Sequence, residues 1–161
     1  MSFVTTASVV VALLGSSLIA GVFFAFSSFI MKALAQLPSS EGMVAMQSIN
    51  VVVLNRLFLG AFIGTAAISI LIAGLAVKGW GTPSASLFLA GALTYLIGTF
   101  LVTGLGNVPL NDQLASIPAT DPKAVLVWSN YLDRWTLLNT IRTVAAAAAT
   151  LLFTLGLLQS C

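Results

Sequence analysis

In the stretch DRWTLLNTIRT, which leads into a long apolar run, an indole, an amide and a guanidinium recur at helical spacing. Trp135 and Asn139 are four residues apart, and Asn139 and Arg142 are three apart. In a helix this spacing puts an indole, an amide and a guanidinium on one face. Groups of this kind support hydrogen bonding and pairing with a negative charge. This face is therefore the first candidate site in the chain.

Arg142 is the most informative of these residues because of its depth. If Trp135 marks the membrane interface, Arg142 lies about 10 Å deeper, where an arginine costs roughly 2.5–3.5 kcal/mol. One interpretation is snorkelling, in which the long side chain reaches back towards the interface. The other is a polar cavity at one end of a helix bundle. Five asparagines favour the cavity because they can converge on that end, namely Asn50, Asn55, Asn107, Asn111 and Asn139.

Three acidic residues are candidates for a proton acceptor or a counter-ion near such a cavity: Glu41, Asp112 and Asp133. Each is also explained as a solvated loop charge or as the partner of a nearby arginine. The sequence alone leaves both alternatives open.

The elements that position these residues are transmembrane helices. The chain has 161 residues, of which 59% are hydrophobic and 6% charged, with a mean hydropathy of +1.10. This composition is typical of a membrane protein. Apolar runs of roughly eighteen residues or more predict spans at about 3–31, 57–77, 84–105 and 136–158. We therefore expect an all-α, integral membrane four-helix bundle that forms a single domain over residues 1–161.

The charged residues predict how the bundle is oriented. Nine of the ten belong to the end that carries loops 32–56 and 106–135, whereas Lys78 alone flanks the opposite turn. Because lysine and arginine near span ends favour the cytoplasm, both loops are predicted inside and both termini outside the cell membrane.

Helical extensions are expected within both loops. Ser39 or Ser40 is predicted to cap a helix that runs straight into the second span. Asp121 is predicted to cap, and Pro122 to begin, a single helix that ends at Gln159.

Pro109 marks an irregular segment in the stretch GNVPLNDQLA. Since proline prevents a simple continuation of a helix, we predict a broken-helix loop at the N-x-P-x-N motif. Asn107 and Asn111 share a face if the segment is helical and are separated if it is extended.

Small residues predict close helix contacts at Gly60-x-x-x-Gly64, at Ala12-x-x-x-Ser16-x-x-x-Ala20 and along 145–149. Histidine is absent, and the single cysteine, Cys161, is terminal and has no predicted role. We therefore expect no metal, haem or other cofactor. No basic cluster is present, so nucleic acid is not an expected partner.

Several motifs together resemble a known family. They are GVFFAFSSFIMKALAQLP, GMVAMQSIN, GNVPLNDQLA and WTLLNTIRT, with Trp128 and Tyr131 just before the last. In this order they are similar to the anthrone oxygenase-like family of small four-span membrane proteins, over nearly the whole chain. The resemblance implies oxidation of polyketide anthrones to anthraquinones by O2 without a metal or flavin.

The resemblance also implies roles for the polar residues. Arg142 would stabilise a substrate oxyanion together with Asn107, Asn111 and Asn139, and Asp112 or Asp133 would accept a proton. The residues expected to bind the substrate are Phe26, Asn50, Asn55, Trp128, Tyr131 and Trp135. No histidine is present to act as a base.

Three functions follow as hypotheses. The first is a cofactor-independent oxygenase acting on an anthrone or another lipophilic phenol or quinol. The second is a non-catalytic accessory or structural membrane protein that binds a lipid, a quinone or a partner complex. The third is a homo-oligomeric small-molecule transporter, which is disfavoured because no acidic residue lies within the core of a predicted span.

Overall fold

A computed structural model describes residues 2–160, which form five helices. They are α1 (Phe3–Ala35), α2 (Ser39–Val52), α3 (Arg56–Lys78), α4 (Ala85–Ala115) and α5 (Ala124–Gln159). All except α2 are long and apolar enough to cross a membrane. The predicted all-α fold with four spans is therefore confirmed. Cys161 lies outside the described residues.

The four spanning helices form a ring in which each packs against two neighbours. α5 lies between α1 and α4, and α3 lies on the opposite side, also between α1 and α4. A helix satisfies its own backbone hydrogen bonds, which is why such apolar segments are stable as helices in lipid. Large buried side chains fill the centre of the ring, among them Val9, Ile19, Ile72, Phe88 and Phe153.

Small residues bring α4 and α5 into close contact. A methyl group added at Gly98 would lie 2.5 Å from the Cβ atom of Ala145, so that the two backbones approach closely only because Gly98 lacks a side chain. The predicted contact at Gly60 and Gly64 was wrong, because a methyl group at either would meet nothing within 4 Å. Their face of α3 is turned away from the bundle.

Three π-helical segments interrupt the regular α-helices near the polar end. Phe26–Ile30 lies in α1, and Leu96–Leu101 and Thr103–Asn107 lie in α4. The predicted broken-helix loop at the N-x-P-x-N motif was wrong, because the chain stays helical there: Asn107 ends a π-helical segment, and Val108–Ala115 is regular α-helix. Pro109 occupies the first turn of the α-helical segment that follows, where its missing N–H is tolerated.

α2 covers the polar end and is separate from the second span. It begins at Ser39, and neither predicted serine caps it through its side chain. The predicted continuous helix into α3 was wrong, because the chain leaves the helix at 53–55. There the Oδ1 atom of Asn55 accepts hydrogen bonds from the backbone N–H groups of Leu57 and Phe58 and starts α3.

α5 is one continuous helix of 36 residues. Such a helix is about 54 Å long, well above the thickness of the hydrocarbon core. Its start was predicted wrongly, since it begins at Ala124 and Asp121 instead accepts a 2.7 Å hydrogen bond from the N–H of Lys123 in the preceding turn. The orientation in the membrane, with both termini outside, stays a prediction.

The contact between α4 and α5 gives a first testable prediction. We expect Gly98→Ala to lower the midpoint of thermal unfolding in detergent, because overpacking costs about 1–3 kcal/mol and the gain in helix propensity is at most about 1 kcal/mol. Gly74→Ala is the matched control, since a methyl group there meets nothing within 4 Å. Equal unfolding midpoints for the two variants would contradict the close packing.

Candidate active site

The guanidinium of Arg142 is held inside the bundle. Arg142 is only 4% exposed. Its Nη2 donates to Asn139 Oδ1 at 2.8 Å, and its Nη1 donates to Thr103 Oγ1 at 3.1 Å. The guanidinium carbon also lies 4.1 Å from the centre of the Phe23 ring and 5.2 Å from that of Trp135. The side chain therefore does not snorkel, and it contacts Asn139, its neighbour on the predicted polar face.

The partners of Arg142 are all neutral. Within residues 2–160 no carboxylate lies within 4 Å of the guanidinium, and its Nε has no hydrogen-bond partner. Hydrogen bonds to a charged group contribute about 1.5–3 kcal/mol each, and a desolvated cation–π contact about 2 kcal/mol, which together offset the cost of burying the cation. The positive charge is thus stabilised but not neutralised.

Asn139 is fixed in an orientation that serves Arg142. Its Nδ2 donates to the carbonyl oxygen of Phe23 and to Ser27 Oγ, both at 2.7 Å. With both amide hydrogens used, Oδ1 points to the guanidinium. Ser27 belongs to the π-helical segment of α1 and Thr103 to one in α4. Segments of this kind occur frequently at functional sites, and here two of them lie on either side of α5.

A second group of hydrogen bonds fixes the ring of Trp135. Asn111 Oδ1 accepts from Trp135 Nε1 and from the Tyr131 hydroxyl, both at 2.8 Å. The same hydroxyl accepts a 3.3 Å hydrogen bond from Asn50 Nδ2. Asn107 Nδ2 donates to the Trp135 carbonyl at 3.2 Å, while its Oδ1 is buried without a partner among the described residues.

Arg142 and Trp135 line a cavity of about 400 Å³ at this end of the bundle. This volume lies in the range of small-molecule sites. The walls are largely apolar and aromatic. Phe62 stacks on Phe58 with ring centres 5.9 Å apart and on Phe100 at 5.3 Å. The arrangement therefore combines flat apolar walls with one buried cation, and it can hold an aromatic molecule that carries a polar or anionic oxygen.

The structure brings together some of the predicted site residues and separates others. Those that line the cavity are Phe26, Asn50, Asn111, Asp112, Trp135 and Arg142. Three further residues do not line the cavity but form hydrogen bonds to residues that do, namely Asn107, Tyr131 and Asn139. The remaining three do not line it. Asn55 caps α3, Trp128 is buried and stacks on Tyr131, and Asp133 is exposed.

The comparison with protein families adds independent information. The anthrone oxygenase family matches residues 53–152, which is more than half of the chain. The chain belongs to this family. The matched range carries Thr103, Asn111, Trp135, Asn139 and Arg142. Comparisons with curated proteins and with solved structures gave no significant match.

In this anthrone oxygenase family member, α1 and α2 lie before the matched range, yet both contribute to the cavity. Phe23 and Phe26 come from α1, and Met46, Ile49 and Asn50 come from α2. These two helices therefore complete a site whose polar centre lies within the matched range.

The sequence analysis did not identify Thr103, a neutral residue whose hydroxyl oxygen accepts a hydrogen bond from Arg142. A signal was available, because Thr99, Thr103, Asn107 and Asn111 recur at intervals of four and form one polar stripe on α4. The sequence analysis also did not identify the aromatic wall formed by Phe58 and Phe62, because phenylalanines that line a cavity and phenylalanines that face lipid look alike in a sequence. Within residues 2–160, no group of three or more His, Cys, Asp or Glu side chains could hold a metal ion.

The central position of Asn111 gives a second prediction. We expect Asn111→Ala to lower the free energy of unfolding by about 1–3 kcal/mol, because two buried donors lose their acceptor, and to change the fluorescence of Trp135. Gln113→Ala is the matched control, since Gln113 is exposed on the same helix. Unchanged stability and emission in Asn111→Ala would contradict the hydrogen-bond group described for Trp135.

Proposed function

We propose that this protein is a membrane-embedded oxygenase that needs no cofactor and uses O2 to oxidise an anthrone or another lipophilic phenol or quinol. One observation carries the proposal: a buried guanidinium with neutral partners and an unpartnered Nε lines an aromatic cavity. Membership of the anthrone oxygenase family supports the same reaction class.

The cation supports catalysis by stabilising negative charge that develops on the substrate. An anthrone that loses a proton becomes an electron-rich anion whose charge lies on oxygen. A preorganised donor in a water-poor site stabilises such an oxyanion without reorganisation. In the proposal, Arg142 faces this oxygen, while Asn139 and Thr103 keep the guanidinium in place.

The proton is proposed to leave through Asp112. It is the only one of the candidate acids that lines the cavity within the described chain. Its side chain is also exposed, so that a proton accepted from the substrate can pass to water. Asp133 is exposed outside the cavity and has no place in this proposal.

The oxidation balances with O2 as the sole oxidant. The substrate anion gives one electron to O2, and the resulting radical and superoxide combine to form a C–O bond. After protonation, the O–O bond of the peroxide breaks, the second hydrogen of the former CH2 group leaves as a proton, and water departs. Overall, CH2 and O2 become a carbonyl group and water, and no external reductant is consumed.

Arg142→Gln tests this function. Loss of one oxyanion donor lowers kcat by about 10²–10³ in other enzymes, and we expect a similar fall in oxygen uptake. The protein is reconstituted in nanodiscs with a hydroxylated anthrone, and uptake is corrected for spontaneous oxidation. Arg134→Gln is the matched control, because Arg134 is exposed on the same helix.

Saturable uptake in the wild type and in Arg134→Gln, but not in folded Arg142→Gln, is the expected result. Uptake no faster than in protein-free nanodiscs would contradict the proposal and favour a non-catalytic binding protein. Homo-oligomers and partner complexes stay predictions.

A further inference from the structure

The cavity reaches the outer surface of the bundle where two spanning helices separate. α3 packs against α4 over Ala85–Tyr95 and less closely over Leu96–Leu101. In the described part of the chain, α3 and the part of α4 after Leu101 have few or no close contacts. The cavity lies behind this gap, because its lining includes residues of both helices.

Residues at this gap line the cavity and are exposed on the outside of the bundle. Ile63 of α3 is 50% exposed, and Phe100 and Val108 of α4 are 39% and 41% exposed. A side chain that lines the cavity and is also accessible from outside marks an opening. The opening therefore lies between α3 and α4, on the side of the bundle.

Apart from Asp112, which lines the cavity and is exposed at the polar end, the surface around this opening is apolar. Leu57, Ile97, Leu101 and Leu105 are exposed on the same two helices. They belong to segments long and apolar enough to span a membrane, so this surface faces acyl chains and not water. A molecule that enters past this apolar surface, away from Asp112, therefore comes from the bilayer.

We infer that the cavity takes its ligand sideways from the bilayer, through the opening between α3 and α4, and that the ligand is a neutral, flat polycyclic phenol. The identity of the ligand rests on the proposed function, whereas the route rests on the structure. A neutral phenol partitions into hydrocarbon, but its anion does not. The phenol therefore enters uncharged past Ile63 and Phe100 and ionises only beside Arg142.

Gly104 offers a way to close the opening. It lines the cavity, and a Cβ atom added there would meet nothing within 4 Å, so a larger side chain can occupy the space without moving the backbone. Gly60 is the matched control. It is exposed on α3 and also has no atom within 4 Å of an added Cβ, but it is not part of the cavity lining.

Trp135 reports on access, because its ring lines the cavity. The experiment uses protein with Trp80→Phe and Trp128→Phe, so that Trp135 is the single tryptophan, in nanodiscs whose phospholipids carry bromine on their acyl chains. We expect brominated chains to quench Trp135 and aqueous acrylamide to quench it only weakly. Gly104→Phe should lose most of the lipid quenching, whereas Gly60→Phe should keep it.

A second measurement tests the class of ligand. A neutral dihydroxyanthraquinone preloaded into the lipid should quench Trp135 saturably, and Gly104→Phe should slow that quenching in stopped-flow mixing. Its sulfonated, permanently anionic analogue in water should quench little. Quenching by acrylamide and by the sulfonate, but not by brominated lipid, would overturn the lateral route.

If brominated lipid quenches Trp135 but the neutral anthraquinone does not, the ligand class is wrong. Neither measurement requires turnover. Quenching of Trp135 by brominated lipid without oxygen uptake would therefore contradict the proposed function but support the lateral route. Oxygen uptake without quenching by brominated lipid would support the function and contradict the route. Thermal unfolding of each variant checks that it is folded.

Discussion

A permanently charged guanidinium inside an apolar bundle requires polar partners, and much of the polar end of this protein meets that requirement. Arg142 binds Asn139 and Thr103, and its planar group lies over Phe23. All of these partners are neutral. They lower the cost of burying the cation but leave its charge free to attract an anion in the cavity that it lines. In this structure the same feature explains both the packing and the proposed chemistry.

Two of the three departures from regular α-helix supply partners to this polar group. Two π-helical segments flank α5, and they supply Ser27 from α1 and Thr103 from α4. A π-helical turn changes the angular position of the residues that follow, so such a segment directs side chains that a regular helix would place elsewhere. The polar residues of three helices thus meet around Asn139 and Arg142. The separation of α3 from α4 leaves the cavity beside them.

The sequence predicted the spans and the local geometry of α5. Spacing alone put Asn139 and Arg142 on one face, because neighbours three apart adjoin in any helix. Contacts between helices were harder, since they depend on helix rotation and on π-helical segments that no residue pattern marks. The break at 53–55 was also missed, because the apolar run from Val51 to Leu54 continues from α2 into the break without a residue that ends a helix. As a result, Asn55 was assigned to the site although it caps α3.

The most direct test of the role of Arg142 is the ionisation of a bound phenol, which needs neither O2 nor turnover. A dihydroxyanthraquinone changes its visible absorption when a hydroxyl group ionises, so it can be titrated with pH in nanodiscs. With the wild-type protein we expect ionisation at a lower pH than in empty nanodiscs, and with Arg142→Gln we expect a return to the empty-nanodisc curve. Bound ligand that titrates identically in the wild type, in Arg142→Gln and in empty nanodiscs would contradict an oxyanion site at Arg142.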